Sequence, residues 1–162
     1  MMGKEIEREI KILFSDAVID STGKNRLKIR IKKDLAIYLL EFLKSRGFNY
    51  LVAISCVDWI KEGEFELVYQ IGKIDDPLRI MVKTRISRDR AEFKSAINVY
   101  KNAQTYEREI HELFGIRFEG NPRLIPLFLE NWNDIPPFRK DFDTRKYVKE
   151  TFEGIPTLEE YK

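Results

Sequence analysis

Three carboxylates crowd one short segment, Tyr106-Glu107-Arg108-Glu109-Ile110-His111-Glu112-Leu113-Phe114-Gly115. Paired carboxylates can act as general acid and base, or as nucleophile and acid in hydrolysis. A stand-alone enzyme using Glu107, Glu109 or Glu112 is therefore one reading of this chain. His111-Glu112 begins like a zinc-protease helix, but Gly115 stands where the second histidine is needed. With a single histidine, His-based metal sites and a Ser-His-Asp triad lack material. Four residues after Glu107 on a charged helix, His111 is expected to be that residue's surface partner. Cys56 is the single cysteine, which excludes an internal disulfide or a cysteine-ligated cluster. It lies in an apolar run, where a thiol behaves as a small hydrophobe. No glycine-rich phosphate loop and no dinucleotide fingerprint occurs.

A second arrangement with chemical potential is the row Arg79, Lys83, Arg85, the basis of a nucleic-acid-binding reading. The preceding strand offers Glu64 and Glu66, so cross-strand ion pairing accounts for the row equally well. No aromatic side chains interleave with these cations, as base stacking would require. The totals point the same way: 29 Lys and Arg against 27 Asp and Glu leave a net charge of +2, too little to draw a polyanion. Glutamine occurs only at Gln70 and Gln104, and a charged, glutamine-poor composition is of the hyperthermophile type. Met1 to Ser15 has no uninterrupted apolar core and is not expected to be a signal peptide. The longest apolar runs, 35–40 and 50–57, are too short to span a bilayer.

The elements that must position these residues follow from periodicity. Residues 4–14 read as an amphipathic helix with Ile6, Ile10, Leu13 and Phe14 on one face. Ala17 to Ile19 reads as a strand and 21–25 as a turn. Leu27, Ile29 and Ile31 alternate with cations in a half-buried strand. Asp34 is the expected N-cap of a helix burying Leu35, Tyr38, Leu39, Phe42 and Leu43 and stopping at Arg46-Gly47. Tyr50 to Trp59 reads as a strand covered on both faces. Two further alternating strands, around 64–71 and 78–86, follow short turns and complete an antiparallel meander. From Arg90 the spacing of Phe93, Ile97 and Tyr100 predicts a helix. Another begins at Asn102 and ends at Gly115, with Tyr106, Ile110, Leu113 and Phe114 on one side and Glu107, Arg108, Glu109, His111 and Glu112 largely on the other.

Five of the six prolines lie at or after Pro122, and there the chain changes character. The fold class is α+β. A single domain, residues 1–120, has a mixed or antiparallel sheet of about four to five strands with helices packed on it. An extended, Pro-rich arm, residues 121–162, follows it. The arm carries Leu124, Ile125, Leu127, Phe128, Leu129, Trp132 and Phe138 with little secondary structure to bury them. Such a segment offsets its ordering entropy only by docking on something, and aromatics with arginine dominate protein interfaces.

One echo sets the specificity of this stretch. Glu7-Arg8-Glu9-Ile10 with Leu13-Phe14 repeats as Glu107-Arg108-Glu109-Ile110 with Leu113-Phe114. Nothing else around the two copies matches, so the helix alone is not diagnostic; the information lies in Gly115 to Pro122 and in Arg139-Lys140-Asp141.

Those residues resemble the hydrophilic C subunit, or thirty-kilodalton subunit, of respiratory complex I and of related membrane-bound hydrogenases. The resemblance rests on Tyr106 to Glu109, Glu112, Leu113-Phe114, Gly115-Ile116, Phe118, Gly120 and Pro122, then Pro137 to Phe142. Asn121 stands where that family usually has histidine, and Phe138 where it usually has leucine. The resemblance implies a non-catalytic structural subunit of the peripheral arm of a membrane-bound oxidoreductase, of the complex I type or of an archaeal group 4 nickel–iron hydrogenase or ferredoxin-linked type. It would bind no cofactor. Its partners would be the hydrogenase-like large subunit and iron–sulfur subunits, which would carry the iron–sulfur clusters and any nickel–iron centre. It would sit on the cytoplasmic face of the membrane, held there by partners, with no nucleic acid involved. The expected interface comprises Glu107, Arg108, Glu109, Glu112, Phe114, Phe118, Pro122, Phe128, Trp132, Phe138, Arg139, Lys140, Asp141 and Phe142.

Overall fold

The computed structural model describes residues 2–21, 23 and 25–152. Thr22 and Lys24 of the expected turn, and residues 153–162 of the expected arm, lie outside the described residues. The elements are α1 (Met2–Leu13), β1 (Val18–Ser21), β2 (Arg26–Arg30), α2 (Lys33–Ser45), β3 (Tyr50–Trp59), β4 (Glu64–Gly72), β5 (Arg79–Ser87), β6 (Glu92–Lys94), α3 (Ala103–Phe114), β7 (Arg117–Glu119) and α4 (Thr144–Thr151).

The five-stranded sheet has the order β1-β2-β5-β4-β3. β3, β4 and β5 form the expected antiparallel meander, while β2 pairs with β5 in parallel. The parallel pair arises because α2 carries the chain across the sheet from β2 to the far edge, and the meander then brings it back. The fold is α+β with a mixed sheet. Leu27, Ile29, Ile80, Val82, Phe65, Leu67, Tyr69 and Ile71 are buried on one sheet face. Ile6 and Ile10 of α1, five residues of α2, and Ile110 and Leu113 of α3 complete the same core. Each fully buried aliphatic side chain contributes about 1.5–3 kcal/mol. The opposite face carries the charged row, with Lys83 Nζ 2.6 Å from Glu66 and Arg85 Nη1 2.7 Å from Glu64. The cross-strand pairing that the sequence offered for this row is thus formed by Lys83 and Arg85, while Arg79 donates to the carbonyls of Asp76 and Leu78.

Several expectations are corrected. β3 is an edge strand with Leu51, Ile54 and Asp58 buried and Tyr50, Val52, Ser55 and Val57 exposed. A register shift between Leu51 and Ala53 breaks its alternation, so a continuous apolar run misled the reading; β4 is the strand most nearly buried on both faces. The buried face of α2 is Ala36, Ile37, Leu39, Leu40 and Leu43, and Tyr38 is exposed, its ring beneath the Lys94 ammonium at 5.9 Å. Asp34 lies in the first turn of α2 and is not its cap, where its charge still suits the helix dipole. Leu13 is exposed at the end of α1.

The helix expected from Arg90 is absent. Residues 92–94 instead form β6, parallel to β7, with Phe93 opposite Phe118 and both buried. Tertiary pairing overrides the helical spacing, and Ser95 N extends that pairing to Glu119 O at 2.8 Å. The arm, expected to be extended, contains α4, whose start is set by Asp143 accepting from Arg145 N and Lys146 N.

Gly115 ends α3 at φ 77°, and its N–H donates to His111 O. A Cβ there would come within 3.1 Å of Pro136 Cγ on the returning arm. Gly115→Ala should therefore cost about 1–2 kcal/mol, read as a lower midpoint in urea unfolding. An unchanged midpoint would contradict this account of the turn.

Candidate functional site: α3 and the arm it holds

α3 places its side chains in three directions. Glu107 points inward and is fully buried, which corrects its expected position on the solvated side. Its carboxylate accepts from Ser95 Oγ at 2.6 Å, Ala96 N at 2.7 Å and Asn121 Nδ2 at 2.9 Å. Desolvation pushes its proton affinity up, and these three donors offset part of that rise. Asn121 is itself held, donating to Gln104 O and accepting from Arg123 N. Glu107 thus joins the end of β6, α3 and the start of the arm. His111, the expected partner of Glu107, contacts Ile116 O through Nδ1 at 2.9 Å instead. A carbonyl only accepts, so Nδ1 carries the proton.

One turn on, Arg108 and Glu112 face the arm. Arg108 Nε donates to Ile125 O at 2.7 Å, and its Nη2 donates to Pro126 O. Glu112 accepts from Leu127 N at 3.0 Å, Phe128 N at 3.0 Å and Leu129 N at 2.8 Å. Partial desolvation pushes Glu112 up, but the three backbone donors and Arg108 together hold it below the usual glutamate range. Arg108 and Glu112 therefore act side by side on the same stretch of backbone.

The far end of the arm is fastened by a second cluster. Asp58, buried at the end of β3, accepts from Arg88 Nε at 2.8 Å and Nη2 at 3.0 Å, and from Lys140 N at 2.8 Å. Arg88 Nη2 also donates to Asp141 at 3.0 Å, and Arg139 donates to the same carboxylate from Nε and Nη2. Arg139 holds Asp141 below its ordinary range; burial pushes it up to a lesser extent, and Arg88 adds a smaller lowering. Phe138 N donates to Leu113 O, and its ring meets Phe114 edge-on at 5.8 Å. Phe114 in turn meets Phe65 of β4 at 6.1 Å. Trp132 and Phe142 pack with Tyr147 of α4 in edge-on and tilted contacts at 5.0–5.6 Å, apart from the main core.

Of the fourteen residues expected at an interface, Glu107, Phe114 and Phe118 are buried within the chain. Arg108, Glu109, Glu112, Trp132, Arg139 and Phe142 are half-buried, and Pro122, Phe128, Phe138, Lys140 and Asp141 are exposed. The structure brings most of them together along one strip from α3 to the arm. Sequence reasoning missed Asp58, Arg88 and Ser95. An acid closing the apolar run of β3 was the available signal for Asp58. Among the described residues, no group of three or more His, Cys, Asp or Glu is placed to hold a metal ion. Burial also pushes the Cys56 thiol well above its usual range.

Two outcomes follow. In Glu107→Gln one oxygen remains to accept, and the new NH2 faces the Ser95 and Asn121 donors. The loss should be about 1–3 kcal/mol despite removal of a buried charge, measured by denaturant unfolding; a stabilised variant would refute the geometry. For pH, Glu112 and Asp141 have folded-state affinities below their unfolded ones. Their contribution is fully present above the ordinary carboxylate range and is lost as pH falls below about 4. In a Trp59→Phe background, Trp132 emission should hold steady from about pH 7 to 5 and shift red below about 4, ahead of the loss of far-UV signal. Coincident transitions would count against a separately fastened arm.

The family described as the 30 kDa subunit of respiratory-chain NADH dehydrogenase matches residues 29–148. The C subunit of the F420H2 dehydrogenase of Methanosarcina mazei is 38% identical over 138 residues, covering 80% of this chain and 85% of that protein. The C subunit of the NADH-quinone oxidoreductase of Citrifermentans bemidjiense is 27% identical over 150 residues, 90% of this chain and 92% of its own length. A chain in the structure of the membrane-bound sulfane sulfur reductase, an archaeal respiratory membrane complex, superposes with a TM-score of 0.89 at 35% identity, covering 96% of this chain and 94% of that one. A trypsin-resistant fragment of Nqo5, at TM-score 0.65 and 22% identity, shares the fold. With the signature segment lying wholly inside the matched span, the chain belongs to the family of the respiratory-chain NADH dehydrogenase 30 kDa subunit.

Proposed function

We propose that this chain is a structural subunit in the peripheral arm of a membrane-bound respiratory oxidoreductase. Its C-terminal arm docks onto the hydrogenase-like large subunit and an adjacent iron–sulfur subunit. The observation that carries this is the arm itself. Ile125, Phe128 and Phe138 are 51%, 65% and 60% exposed on a backbone that α3 and Asp58 already hold. Large apolar groups on an ordered segment are left for another protein to cover.

The kinship to subunits of multi-subunit respiratory complexes supports the reading. No helix among the described residues is long and apolar enough to cross a membrane; on this reading the partners attach the chain at the cytoplasmic face. The partners would hold the iron–sulfur clusters and any nickel–iron centre, and this chain would fix their relative positions. The carboxylate-enzyme reading keeps only Glu109 of its three candidates, since the oxygens of Glu107 and Glu112 are taken up by donors within the chain.

Tagged full-length chain expressed in its source organism should bring down iron-containing partner subunits. Replacing Phe128 by Asp should reduce their recovery by about tenfold or more while leaving the thermal midpoint of the isolated chain unchanged. A wild-type chain recovered as a partner-free monomer would overturn the proposal.

A further inference from the structure

The contacts between α3 and the arm share a property that neither burial nor charge alone explains. Arg108 takes two successive carbonyls, Ile125 O and Pro126 O, and Glu112 takes three successive N–H groups, Leu127 to Leu129. At the other end Asp58 takes Lys140 N, and Leu113 O takes Phe138 N. All these bonds engage backbone. The side chains of the same segment, Leu124-Ile125-Pro126-Leu127-Phe128-Leu129, are apolar without exception, and Ile125, Pro126 and Phe128 point outward. Held backbone with offered side chains is the arrangement of a preformed recognition segment, in which ordering entropy is lost on folding and not again on binding.

Resting on the subunit reading above, we infer that Arg108, Glu112 and Asp58 are positioning residues: they set residues 125–140 as a recognition surface before a partner arrives, and the 124–129 segment fits an apolar groove on a protein partner. The chemistry excludes other classes. The segment carries no charge with which to meet a phosphate or a lipid headgroup, whereas bulky apolar anchors on a rigid loop suit a preformed protein groove.

The test uses the purified full-length chain and two readouts. Amide hydrogen exchange in residues 125–129 should quicken by about tenfold or more in Glu112→Ala and in Arg108→Ala, with the sheet core unaffected. Glu41→Ala, which removes an exposed carboxylate from α2, should leave exchange there unchanged. Phe128→Asp should also leave exchange unchanged. In the second readout, chain is rebound to source-organism membranes stripped of their own copy. Glu112→Ala, Arg108→Ala and Phe128→Asp should each bind about tenfold or more weakly, and Glu41→Ala as wild type. Unchanged exchange in both α3 variants would overturn the positioning role, whatever the membranes show. Faster exchange with undiminished rebinding would overturn the need for a preformed arm. A wild-type dimer that Phe128→Asp dissociates would make the occupant a second copy and overturn the groove. Failure of wild type to rebind would count against the subunit reading, and exchange alone would still decide whether Arg108 and Glu112 position the arm.

Discussion

Glu107 brings a carboxylate into a fully buried position, and the second half of the chain is arranged around that constraint. An unpaired buried charge costs several kcal/mol. Ser95, Ala96 and Asn121 must therefore all be in place when α3 packs. Ser95 follows β6, which pairs with β7, and Asn121 opens the arm. The β6–β7 pair, α3 and the departure direction of the arm are thus fixed together. Ser95 hydroxyl passes the arrangement on, accepting from Ile97 N while it donates to Glu107. Burial favours the protonated acid, and the converging donors work against that preference, so the site is satisfied only as a complete set.

The echo between α1 and α3 shows why local sequence could not reveal this. Both helices read Glu-Arg-Glu-Ile, and both bury the isoleucine, Ile10 and Ile110. Yet Glu7 forms a surface pair with Lys11 at 2.6 Å and Glu9 reaches Arg46, while Glu107 is interior. Leu13 is exposed where Leu113 is buried. Amphipathic spacing fixes a helix and one apolar direction; which charged residue joins that direction depends on donors that arrive from elsewhere in the chain. The meander, the α2 helix and the stop at Gly115 were legible because alternation, helical spacing and turn residues are local signals. The edge position of β3, the β6–β7 pairing, α4 and the Asp58 cluster were not. Each depends on a contact across the sheet or a capping residue that a run of apolar residues conceals.

The site divides along the same line. That the arm meets something was readable from its apolar content, since a solvated chain of that composition does not order itself. What the sequence could not show is that its charged signature residues work inward. Arg108 and Glu112 bind backbone, and Arg139 and Asp141 pair with each other and, through Arg88, with Asp58. Resemblance pointed to this stretch, whereas geometry separates the residues that hold the arm from those the arm leaves exposed.

This division also accounts for the two places where the chain departs from the family's usual residues. Asn121 must give Glu107 a hydrogen bond from its side chain. A neutral histidine, with one ring N–H and one accepting ring nitrogen, can do the same, but the amide has a second N–H beside its accepting carbonyl. It uses them on Gln104 O and Arg123 N, so the asparagine keeps the essential contact and ties two more backbone groups to the turn. Phe138 replaces a leucine at a point where the backbone is already fixed by Leu113 O. One edge of its ring reaches Phe114, and the rest, 60% exposed, extends the surface that the arm presents. Neither residue disturbs a fastening bond: Asn121 supplies the contact with Glu107, and Phe138 leaves most of its surface outward.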